Sequence, residues 1–109
     1  MAIPKLKDDA LERHYRSMFD LFTSAGWAAL IEDLEAVEAT LNKLITVKDQ
    51  RELDNRQGQL ANILWMKAQP EMHDHAYRQI LVDEAKPEEQ DTLIAELDDL
   101  TFGVAKVIS

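Results

Sequence analysis

SAGWAALIEDLEAVEATLNKLITVKDQRELDNRQGQLANILWM, residues 24–66, is the stretch on which the fold turns. In its first half Trp27, Leu30, Leu34, Val37, Leu41 and Leu44 recur at spacings of three and four, and Ile31 and Ile45 widen the stripe. That is the repeat of a helix with one face turned to a partner helix. Glu32, Asp33, Glu35, Glu38 and Asn42 take the remaining surface. A break falls at Thr46-Val47-Lys48-Asp49, where Asp49 can cap a second helix and Glu52, three residues on, can reach back as in a capping box. The second arm carries Leu53, Leu60, Ile63, Leu64 and either Trp65 or Met66, with a thinner middle at Arg56-Gln57-Gly58-Gln59. A glycine inside a helix costs about 1 kcal/mol relative to alanine. Gly58 is therefore expected to have a packing reason, the close approach of the facing helix. The expected unit is an antiparallel helical hairpin packed through Trp27, Leu30, Leu34, Leu41, Leu53, Gly58, Leu60 and Leu64, with the stripe from Trp27 to Leu64 buried.

The rest of the chain agrees with an all-α class. Of 109 residues only three are glycine and three proline, and 46% are hydrophobic, enough for a modest core. Without cysteine there is neither a disulfide framework nor a cysteine-ligated zinc site. The start, Met1 to Asp9, lacks the apolar core of a signal peptide, and no run is long enough to span a bilayer. A net charge of −9 argues against binding nucleic-acid phosphates, which requires lysine and arginine, and permits basic partners.

Upstream of the hairpin, Leu11, Tyr15, Met18, Phe19 and Phe22 mark one face of a first helix capped by Asp8 or Asp9, with Glu12 and Arg16 placed to pair on its outside. Thr23 to Gly26 is a joint. Downstream, Gln69-Pro70 ends the second arm, and Pro70 suits the first turn of a helix running to about Glu84, or a kinked continuation. From Asp83 to Asp99 eight acidic residues stand against one lysine. A short helix with Leu93, Ile94, Leu97 and Leu100 lies within this run, followed by an apolar tail containing Phe102, Val104, Val107 and Ile108. The chain is accordingly divided into a helical core over residues 1–84, built on the hairpin, and an acidic helix with an extended tail over residues 85–109.

Reactive chemistry is hard to find. His73 and His75 are two apart, so on a helix they point in different directions and cannot readily share one ion. No glycine-rich phosphate loop, nucleophile elbow or His-Glu-x-x-His motif occurs. The expectation is a protein without catalytic residues, metal or cofactor.

One set of residues has a familiar pattern. Phe22 to Trp27 (FTSAGW), Ile31 to Leu34 (IEDL), Val47-Lys48-Asp49, Glu52-Leu53 and Arg56 to Leu60 (RQGQL) resemble short helical proteins from the structural-gene regions of short-tailed, podovirus-like bacteriophages. The resemblance covers roughly residues 19–66 and leaves the C-terminal third outside it. It implies a small virion or assembly component that contacts other chains, phage structural proteins or itself, as an oligomer, in the virion or in the host cytoplasm during assembly. It carries over no catalytic residue. Leu93, Leu97, Phe102, Val104, Val107 and Ile108 are expected to form a protein-interaction segment, because exposed apolar clusters mark such surfaces. The alternative is a small acidic inhibitor or DNA mimic that binds a host nucleic-acid-binding protein. Neither reading involves a membrane or direct nucleic-acid binding.

Overall fold

Asp8 starts the first helix: its carboxylate accepts the backbone N–H groups of Ala10 and Leu11 at 2.9 and 3.1 Å, satisfying donors that a helix N-terminus leaves open. The computed structural model describes residues 4–43 and 46–100. They form α1 (Asp9–Phe22), α2 (Ala25–Leu41), α3 (Gln50–Lys67), α4 (Gln69–Glu84) and α5 (Gln90–Leu97), with a 3-10 turn over Pro87–Glu89 ahead of α5. No strand occurs among the described residues, and the chain is all-α. None of the described helices is long and apolar enough to cross a membrane. Leu44, Ile45 and the residues from 101 onward lie outside the described residues.

The chain separates into two compact units, Met1–Ser24 with Pro70–Ser109, and Ala25–Gln69. The second is the hairpin, and α4 and α5 share the first, so the contacts divide the chain elsewhere than at residues 84 and 85.

In the first unit α4 carries the core. Tyr77 is fully buried, and Leu81, Phe19, Phe22, Leu6 and Leu97 are buried in the same unit. The rings of Phe19 and Tyr77 meet edge to face at 5.3 Å, and Tyr15 lies 5.4 Å from Tyr77, geometries that add to the burial of aromatic area. Along its other flank Arg78 ties down α5. Its Nε is held by the Asp74 carboxylate at 3.0 Å, while its two terminal nitrogens donate to the carbonyls of Leu97 and Leu100 at the C-terminal end of α5. Gln90 adds a bond to the Val82 carbonyl at 3.1 Å.

The hairpin unit begins its return arm as the capping residues require. Asp49 accepts the Glu52 N–H at 2.8 Å, and Glu52 accepts the Lys48 N–H at 3.1 Å, one residue ahead of the cap. Arg56 fastens the connection by donating to the Lys43 carbonyl at 3.0 Å and the Thr46 hydroxyl at 2.8 Å. α3 ends at Lys67 and α4 begins at Gln69 with Pro70 in its first turn, so the helix does not run on through Pro70.

Gly58 does not have the packing role expected of it. It is exposed, and a Cβ built on it meets nothing within 4 Å. The facing helix makes no close approach there, and the residue only adds backbone entropy to the unfolded chain. Gly58→Ala is therefore expected to raise the unfolding free energy by about 0.5–1 kcal/mol. Urea denaturation followed by circular dichroism checks this, and a loss of stability would show a contact at that position.

Candidate interaction surface

α2 turns its stripe toward α3 but does not bury it. Trp27, Ile31, Leu34, Glu38 and Leu41, at alternating steps of four and three, are all only half-buried, and no residue of the 17-residue helix is buried. On α3 Leu53, Arg56, Leu60 and Lys67 are half-buried, and Ile63 alone is buried. The stripe read from the sequence thus has the right helical face and the wrong degree of cover. Two helices joined as a hairpin present each seam residue with a partner on one side, and the flanks stay in water.

Part of the exposed surface of both helices is apolar. Leu30 and Val37 on α2 are 43% and 48% exposed, and Leu64 and Trp65 on α3 are 57% and 58% exposed. Covering what remains of each is worth roughly 1 kcal/mol apiece, about half the value of a full burial. A helix of this length is marginal in water without a packed face, and α2 has that of α3. Its charges are unevenly shared. α2 holds four carboxylates, Glu32, Asp33, Glu35 and Glu38, and no basic residue, whereas α3 holds Arg51, Arg56 and Lys67 against Glu52 and Asp54. Lys67 reaches Glu38 across the two helices at 3.4 Å. Both side chains are about three-quarters buried.

The C-terminal residues expected to form an interaction segment do not stand together as exposed groups. Leu97 is buried at 2% exposure and Leu93 is half-buried, both on α5, and Ile94 is the large apolar residue of that helix left exposed. Phe102, Val104, Val107 and Ile108 lie outside the described residues. Between α4 and α5 a recess of about 420 Å³ is lined by Arg78, Val82, Ile94 and Leu97 together with His75, Gln79 and Asp98.

The polar centre of the first unit is not marked by any helical spacing in the sequence. Glu12, expected on the outer surface, is buried at 9% exposure. It forms the pair with Arg16 at 2.6 Å, and its other oxygen accepts the Tyr77 hydroxyl at 2.6 Å and the Leu6 N–H at 2.8 Å. The Pro4 carbonyl lies 3.3 Å from the same hydroxyl, and Lys7 N–H donates to Glu84 at 3.0 Å. Burial acts most strongly on Glu12 and disfavours its charged form. The bonds from Tyr77, Leu6 and Arg16, with the charge of Arg16, outweigh it and leave the carboxyl below its ordinary pKa. Burial, the bond to Glu12 and the Glu12 charge raise the Tyr77 phenol above its usual range. With both its oxygens engaged, Glu12 is built to hold the N-terminal segment, α1 and α4 together.

Two of the three histidines are neighbours and the third stands apart. His73 packs its ring 5.1 Å from Phe22 and 6.3 Å from His14, while His75 is exposed and lines the recess beside α5. Among the described residues no three His, Cys, Asp or Glu side chains are grouped to hold a metal ion.

Comparison of the chain with protein-family models, curated proteins and solved structures finds no match to any of the three.

Proposed function

We propose that the chain is a non-enzymatic structural or assembly protein of a tailed bacteriophage, acting through helix-mediated contacts with other protein chains. The observation that carries the contact reading is the hairpin: α2 has no buried residue, and Leu30, Val37, Leu64 and Trp65 stand exposed on it and on α3. Large apolar side chains left exposed on both arms suit contact with another chain. The phage assignment comes from the resemblance over residues 19–66, centred on FTSAGW and RQGQL. On this reading the protein resides in the virion, or in the host cytoplasm while particles assemble.

The charge of −9 favours a second reading, an acidic inhibitor or nucleic-acid mimic directed at a host nucleic-acid-binding protein. Mass spectrometry of purified particles separates the two. Stoichiometric copies in virions are the expected result. Absence from particles, with tight binding to a basic host protein, would replace the first reading by the second.

A further inference from the structure

We infer that the recess between α4 and α5 is the seat of this chain's own C-terminal segment, residues 101–109, with Phe102 as the side chain that fills it. The recess measures about 420 Å³, within the roughly 300–1,000 Å³ of clefts that bury a small organic group. Val82, Ile94 and Leu97 supply its apolar wall, and Ile94 is 45% exposed.

The path of the chain selects the occupant. Arg78 lines the recess and also binds the carbonyls of Leu97 and Leu100, so the chain leaves α5 at the recess wall. Asp98, on the same wall, stands two residues before Leu100. At about 3.3–3.6 Å per residue, the backbone of Phe102 is confined to within about 7 Å of Leu100. Residues 101–109 read TFGVAKVIS, in which Phe102 is both the largest apolar group and the first to arrive. Its ring covers more apolar surface than any of the valines or the isoleucine that follow. So short a tether holds the ring at an effective concentration in the millimolar range, whereas a separate chain arrives only at its own free concentration. Charge separates the occupants further. From Asp83 to Asp99 eight acidic residues stand against one lysine, so a second copy, at a net charge of −9, approaches α5 against repulsion. Lys106 is the one charged side chain in TFGVAKVIS and brings the opposite sign. With Phe102 seated, the segment expected to contact other chains acts within its own.

Nuclear magnetic resonance of the full chain tests this without any substitution. The Phe102 ring protons should give Overhauser contacts to the methyl groups of Val82 and Ile94 at every protein concentration. In a mixture of isotope-labelled and unlabelled chains, filtered for contacts between copies, those cross-peaks should vanish. Phe102→Ser should shift the same methyl signals and speed amide exchange in α5 about tenfold, as for loss of a half-covered apolar contact, while exchange in α2 and α3 stays unchanged. A wild-type ring that contacts neither methyl overturns the inference. Cross-peaks that persist in the filtered mixture also overturn it, since the occupant is then a second copy. Unchanged α5 exchange in Phe102→Ser does so as well, by showing that the ring covers nothing there.

Discussion

Tyr77→Ala is expected to lower the unfolding free energy by about 3–5 kcal/mol. The side chain has no exposed surface, and its ring touches Phe19 and Tyr15 at centroid distances of 5.3 and 5.4 Å. Deleting it opens a void between α1 and α4 and strips the Glu12 carboxylate of one donor. Tyr77→Phe separates those two contributions. It keeps the ring and removes only the hydroxyl that donates to Glu12 at 2.6 Å, so it should cost about 1.5–3 kcal/mol, as for a bond to a charged group. Chemical denaturation of both variants checks the order. Equal losses for the two would mean that the ring contributes nothing beyond its hydrogen bond.

Glu12→Gln should cost about 1.5–3 kcal/mol at neutral pH, and most of that difference should vanish in acid. Arg16 is 42% exposed, so the ion pair itself is screened by solvent, and the buried bonds from Tyr77 and Leu6 carry the larger share. The folded-state pKa of Glu12 lies below its ordinary value of 4.5. The carboxylate's contribution is therefore complete above 4.5, and it is lost as the pH falls from there through the folded pKa. The glutamine has no proton to gain, so the gap between wild type and variant should close across that acid window. The reading taken is the wild-type-minus-variant difference in unfolding free energy, which cancels the other acidic groups. A gap that stays constant down to pH 3 would show that Glu12 is not held as a carboxylate.

What was legible in the sequence was what is local. Asp8, Asp49 and Pro70 act within a turn of their own position, and they mark helix starts where expected. The three- and four-residue spacing located the inner face of α2, because periodicity reports which side chains share a face. It carries no information on whether a second layer covers that face, which is why Leu34 and Leu60 have the spacing of core residues and are half-buried. Exposure of Leu64 has the same origin, since the next helix that might have covered it is not written in its neighbours. Glu12 was misplaced for a different reason. A carboxylate spaced four from an arginine looks like a solvent-facing pair, and the buried partner that reverses this reading is Tyr77, 65 residues away. No spacing rule connects them. Within the candidate surface, Leu30 and Leu64 were already among the residues singled out, whereas Val37 and Trp65 count as surface anchors only once their exposure is known.

That separation also sets a timetable for the nascent chain. Arg56 closes onto Lys43 after 13 residues, while Glu12 waits for Tyr77 and Lys7 for Glu84, 77 residues later. Closing the longer loops costs more chain entropy and is slow relative to local helix pairing. At ordinary synthesis rates of roughly 5–20 residues per second, about 3–13 s pass between the emergence of α1 and that of its partner on α4. Both halves of the hairpin are at hand once Lys67 has emerged, ten residues ahead of Tyr77. The hairpin is inserted in the chain between the two halves of the other unit, and Phe19 and Phe22 lack their α4 neighbours Tyr77 and His73 until the ribosome has delivered them.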